Sequence, residues 1–88
     1  MKIKKGFIMK KMADKFVVIA IGEAAKKFSG YFTLNETGAF LFENIKAGIT
    51  REELLEKLTS EYDVDEKTAR EDIDEFVAKL KEINAIEE

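Results

Sequence analysis

The hydrophobic period of this 88-residue chain changes once, at the Leu34–Asn35 junction, and that single switch does most to limit its fold. Before it, apolar residues run continuously or alternate, as in strands; after it they recur every three or four positions, as in helices. Phe7 to Met12 forms one candidate strand. Ala13-Asp14 is a short polar break, and Phe16 to Ile21 a second strand, β-branched and apolar on both faces, as suits a central position in a sheet. Gly22 ends it, Ala24 to Phe28 is a connector with room for one helical turn, and Ser29-Gly30 breaks the chain again. Tyr31-Phe32-Thr33-Leu34 then reads as a short third strand.

Beyond the switch, local signals mark three helices. Asn35 is an N-cap with Glu36 in the first turn; Leu41, Phe42 and Ile45 follow, and Gly48 stops the helix. Thr50 and Glu53 have the spacing of a capping box, followed by Leu54, Leu55, Leu58 and Tyr62. Asp65 caps a last helix whose Ala69, Ile73, Phe76, Leu80 and Ile83 form one stripe, ending near Asn84. So few strands make one small sheet, which the helices must cover on one face. The expected class is α+β: a single domain over residues 1–88, with a three-stranded antiparallel sheet followed by three helices. The last two helices and the preceding strands make it winged helix-turn-helix-like.

Composition narrows the chemistry. No cysteine and no histidine are present, which removes thiolate nucleophiles, cysteine-ligated zinc and the commonest general base. The glycines form no phosphate-cradling cluster, and Asp63, Asp65 and Glu66 lack the spacing of a calcium loop. No catalytic residue, metal site or cofactor is expected. The longest apolar run, Phe16 to Ile21 with Gly22, is far short of the roughly 20 residues that span a bilayer, so a cytoplasmic protein without membrane contact is expected.

Charge is uneven. Residues 1–34 hold eight lysines against Asp14 and Glu23, a net of +6, whereas residues 35–88 are −9. The last helix, residues 65–83, has four cations against seven carboxylates. It would repel a phosphate backbone, so the winged-helix DNA-binding regulator is the weaker alternative and no nucleic acid is expected. The short third strand runs straight into a helix. One edge is thereby left for an extended peptide, or for a second copy in a structural dimerisation module.

The stretch Leu34-Asn35-Glu36-Thr37-Gly38-Ala39-Phe40-Leu41-Phe42-Glu43 resembles the PqqD family, named for the pyrroloquinoline quinone biosynthesis protein D. The likeness extends through Ala47-Gly48-Ile49-Thr50-Arg51-Glu52-Glu53-Leu54, Glu61-Tyr62-Asp63-Val64 and Asp74-Glu75-Phe76-Val77, over roughly residues 7–86. The Lys-rich connector Ala24 to Phe28 and the lack of proline depart from the pattern. The resemblance implies a peptide chaperone that binds the leader of a ribosomally made precursor peptide and presents it to a modifying enzyme, often a radical S-adenosylmethionine enzyme. It implies that the leader pairs antiparallel with the third strand, in a cleft completed by the last helix. Carried over, the peptide-binding residues are Tyr31, Phe32, Thr33 and Leu34 on the strand, with Arg70, Ile73, Val77 and Lys81 as the helix wall. The Lys-rich first third would attract an acidic leader.

Overall fold

The computed structural model describes residues 1–28 and 30–88; Ser29, at the expected break, lies outside them. Strand β1 (Lys2–Ile3) is followed by β2 (Phe7–Met12), β3 (Lys15–Ala20), the short helix α1 (Glu23–Lys27) and β4 (Tyr31–Leu34). Helices α2 (Glu36–Lys46), α3 (Arg51–Glu61) and α4 (Glu66–Glu82) and strand β5 (Ile86–Glu87) complete the chain. The main sheet is antiparallel in the order β2-β3-β4, in register Phe7↔Ala20 and Met12↔Lys15 on one side of β3 and Phe16↔Leu34 and Ile19↔Tyr31 on the other. The doubly apolar run is thus the central strand, as expected.

Each of the three long helices starts where its cap dictates. Asn35 accepts from the Gly38 amide at 2.8 Å and Asp65 from that of Thr68 at 2.7 Å. Thr50 and Glu53 exchange both bonds of a capping box at 3.1 Å. Gly38 also permits a close approach: a Cβ there would stand 3.2 Å from the Leu34 Cβ and 3.3 Å from its own cap's Oδ1. The three long helices bury one stripe each. Phe42, Ile45, Leu54, Leu58, Ala69 and Leu80 have no solvent exposure, and with Val18 of β3 they form the centre of the core.

The expectation of one sheet needs correction. β1 and β5 pair antiparallel, Ile3 opposite Ile86, as a separate two-stranded ribbon. Two-residue strands more than 80 positions apart have no period to read, and only the tertiary fold brings them together. Ile3 and Ile86 of the ribbon, and Ala85 just before it, are buried. Asn84, at φ 59, ends α4 in a Schellman turn: its amide donates to the Lys81 carbonyl and that of Ala85 to the Leu80 carbonyl. That turn aims β5 at β1, and the Lys4 amide then donates to the Ala85 carbonyl at 2.8 Å. Among the described residues, no helix is long and apolar enough to cross a membrane, and no group of three acidic side chains could hold a metal ion.

Two stability predictions follow from this geometry. Ala13, first residue of the β2–β3 turn, sits at φ 58, a left-handed conformation that disfavours any residue with a Cβ. Ala13→Gly should stabilise the domain by about 0.5–1 kcal/mol in urea unfolding, the relief of strain outweighing the freer unfolded chain. The second concerns acid. Backbone amides donating to Glu53 and Asp65, from Thr50 and Thr68, hold both carboxyls below the usual carboxylate range. A lowered folded pKa means stability that is present above the unfolded value and lost as pH falls through the folded one. The thermal midpoint should therefore drop between about pH 5 and pH 3. Asp65→Asn, which still caps, should drop less steeply.

Candidate functional site

Among the described residues, β4 has a sheet neighbour on one side only. In an antiparallel ladder alternate residues point their amide and carbonyl to the same side, so half of the β4 main chain faces away from β3. The pleat turns Phe32 and Leu34 inward, half-buried and buried, and leaves Tyr31 and Thr33 exposed; Tyr31 is 67% accessible. Phe32 packs edge-on to Phe28, ring centres 6.4 Å apart, and Phe28 in turn meets Phe7 at 6.2 Å. These contacts fix the level of the strand against the core while its outer edge stays unpaired.

A hollow of about 310 Å³ lies between the start of α2 and one flank of α4, and adjoins β4 through Asn35, next after Leu34, and Lys79, which stands over Phe32. Asn35, Gly38 and Leu41 line it from the α2 side, and Asp72, Glu75, Phe76 and Lys79 from α4. Leu41 and Phe76 supply an apolar floor. The Lys79 Nζ lies 5.5 Å from the centre of the Phe32 ring, a cation–π contact that bridges helix and strand. A wider depression of about 610 Å³, lined by Met1, Ile49, Thr50 and Glu88 among others, meets strands only at the two-residue ribbon, through Lys2 and Glu87. It offers no strand long enough to extend.

The structure brings Tyr31 to Leu34 to the free edge as expected, but sets the four expected helix residues elsewhere. Ile73 and Val77 are core residues, 3% and 1% exposed. Arg70 reaches Glu52 of α3 at 3.2 Å and Glu66 at 2.9 Å, and Lys81 reaches Glu88 at 2.6 Å. Arg70 and Lys81 thus lie on the flank of α4 toward α3 and the C-terminal strand, and Ile73 and Val77 face the core. Arg70 and Lys79 are nine positions apart, half a turn around a helix of 3.6 residues per turn. The wall beside β4 is instead Asp72, Glu75, Phe76 and Lys79, which the sequence reading missed. One signal was available: Glu66 and Arg70 are spaced as an i,i+4 ion pair, which commits Arg70 to its own helix face.

The comparisons with known proteins agree with this architecture. The family model described as Coenzyme PQQ synthesis protein D (PqqD) matches residues 15–86. The chain belongs to the PqqD family. Two solved structures share its fold. One is TbiB1 in complex with the TbiA(beta) leader peptide, with a TM-score of 0.79 and 24% identity, covering 99% of this chain and 95% of that one. The other is a lasso peptide synthetase B1 complexed with the leader peptide, with a TM-score of 0.75 and 25% identity, covering 96% of this chain and 93% of that one. No curated protein matches the chain. Membership of the PqqD family accords with the stretch Leu34 to Glu43, which contributes both the end of the free strand and the α2 side of the hollow.

The separation of the two α4 flanks can be measured without a ligand. Arg70→Ala and Lys81→Ala should perturb amide shifts in α3, in α4 and at residues 86–88, and leave those of Tyr31 to Leu34 unmoved. Shifts concentrated on β4 would place these cations at the edge after all.

Proposed function

We propose that this chain is a non-catalytic carrier that captures the leader of a ribosomally synthesised precursor peptide. The leader adds to the free edge of β4 as a fourth, antiparallel strand. The observation that carries this reading is the unpaired edge lying beside an apolar-floored hollow, in a PqqD-family chain whose fold neighbours were solved with leader peptides. The sheet is antiparallel throughout, and an antiparallel addition continues it with the better hydrogen-bond geometry. Side chains of the leader that face inward meet Leu41, Phe76 and the rim of Phe32. The peptide-binding residues are therefore Tyr31, Phe32, Thr33 and Leu34 with Asp72, Glu75, Phe76 and Lys79. The second partner is a modifying enzyme; the family resemblance makes a radical S-adenosylmethionine enzyme our choice, acting on a leader held in the cytoplasm.

The test uses synthetic leaders taken from short reading frames beside the gene, titrated by fluorescence anisotropy. Binding of order micromolar is expected, since about 1 kcal/mol per hydrogen bond and about 1.5–3 kcal/mol per buried apolar side chain stand against a large association cost. Phe32 and Thr33 are neighbours in the ladder, so one points its amide at β3 and the other at the open edge. Proline at the outward position removes a donor only the leader uses. Of Phe32→Pro and Thr33→Pro, the one that keeps its circular dichroism spectrum should lose at least tenfold in affinity. Undiminished capture by that folded variant would refute the site.

The same edge also suits a second copy of the chain, which makes homodimerisation through β4 the competing use. If both occur, adding the leader should convert dimer to monomer in light scattering.

A further inference from the structure

The hollow beside β4 contains three charged side chains, and their order is informative. Asp72, Glu75 and Lys79 enter no ion pair among the described residues, whereas Arg51, Arg70 and Lys81 on the opposite side each have a carboxylate within 3.2 Å. They are also sorted by position. All three line the hollow, but Lys79 stands over Phe32, near the start of β4, and the end of α4 beyond it, at Ile83, meets Phe7 and Lys27 on that side. Asp72 and Glu75, about one to two turns earlier, fall toward the Leu34 end. α4 therefore runs opposite to β4, with its carboxylates at the Leu34 end and its cation at the Tyr31 end. One helical turn past Lys79, Ile83 lines a second hollow with Lys4, Lys5 and Lys27 against the single carboxylate Glu23. The Lys-rich first third thus extends the positive end. At the negative end the Gly38 amide of the α2 N-terminus is already taken by the Asn35 side chain, so it offsets little of the charge of Asp72 and Glu75.

We propose that this charge order selects both the direction and the sequence of the captured leader. The inference rests on the strand-addition reading and deepens it. A peptide antiparallel to β4 has its N-terminal part at the Leu34 end and its C-terminal part at the Tyr31 end. It is held when a basic side chain faces Asp72 and Glu75 and an acidic side chain follows it, facing Lys79 and the lysines beyond. Asp72 and Lys79 are seven residues apart, roughly 10 Å along a helix, a length that a strand covers in about three residues. Side chains on one face of a strand alternate, so the basic and acidic residues of the leader stand two or four positions apart. A leader acidic throughout, as charge counting alone suggests, would meet Asp72 and Glu75 with like charge. The lysines attract only its C-terminal portion. Turning an acidic-first segment around to match the charges would make the pairing parallel, so polarity and register are checked together.

The experiment pans a phage-displayed library of random dodecapeptides on the immobilised full-length chain, and in parallel on the triple variant Asp72→Lys, Glu75→Lys, Lys79→Glu. All three side chains point into an open hollow; if the triple variant loses its circular dichroism spectrum, Lys79→Glu alone replaces it. The native chain should enrich basic-then-acidic peptides with the spacing given, and the variant acidic-then-basic ones. Synthetic peptides of one composition in the two orders should differ about tenfold in affinity at low ionic strength, and less as salt is added. Enriched peptides without charge order, or with the same order on both proteins, overturn this inference and leave strand addition standing. A native chain that enriches no peptide at all overturns strand addition, and this inference with it.

Discussion

The joint between β4 and α2 governs the rest of the molecule. There is no loop between them: Leu34 is the last residue of the strand, and Asn35, next in the chain, caps the helix by accepting from the Gly38 amide. Gly38 has no side chain, so α2 sits directly on Leu34. A chain that leaves a sheet this abruptly cannot fold back as a hairpin. The outer edge of β4 therefore has no local candidate to pair with it, and the helix that follows walls one end of the hollow alongside. The same five residues close the core and expose the edge.

The other wall depends on how α4 is held. Its N-terminus is fixed by the Asp65 cap, and its C-terminus by the Schellman turn at Asn84 and the β1–β5 ribbon. Between them the chain is keyed by Ile73, Val77 and Leu80 in the core and by Arg70 and Arg51, which reach Glu52 and Asp74 across the α3 interface. These exposed ion pairs contribute little to stability, but they give the α3 flank of α4 its own partners. Rotating α4 about its axis would break them and bury Asp72 or Lys79. The orientation that leaves Asp72, Glu75, Phe76 and Lys79 beside β4 is thus the one that satisfies both ends and the opposite flank.

What could be read from the sequence divides along the same line. The caps at Asn35, Thr50 and Asp65, the central strand and the core stripe of α4 were legible, because each depends on residues within a turn or two of one another. The free edge was legible too, from a four-residue strand followed at once by a helix cap. The β1–β5 ribbon was not, since Lys2 and Ile3 acquire strand character only by meeting Glu87 and Ile86. The flank of α4 that lines the hollow differs from the one expected from the sequence, for a related reason. An amphipathic helix has two borders between its buried and exposed faces, and the period that reveals the core treats them alike. Only the neighbours decide, and here α3 took the border holding Arg70.

A groove of this kind is built for exchange rather than for permanence. Four residues of β4 can offer an incoming strand about four main-chain hydrogen bonds, each worth roughly 1 kcal/mol net of lost water contacts. The apolar floor is small, two side chains deep, and Asp72, Glu75 and Lys79 remain in solvent, where charge attraction is screened. None of these contributions alone outweighs the entropy of ordering a flexible peptide. Together they reach only modest affinity, with much of the selectivity placed in groups that act at a distance and release easily. Tightening the site with a longer strand or a deeper pocket would strengthen capture and slow release in the same step. Under the proposed carrier role, in which the peptide passes to an enzyme, neither change is an advantage, and a β4 ended after four residues by the Asn35 cap suits that role.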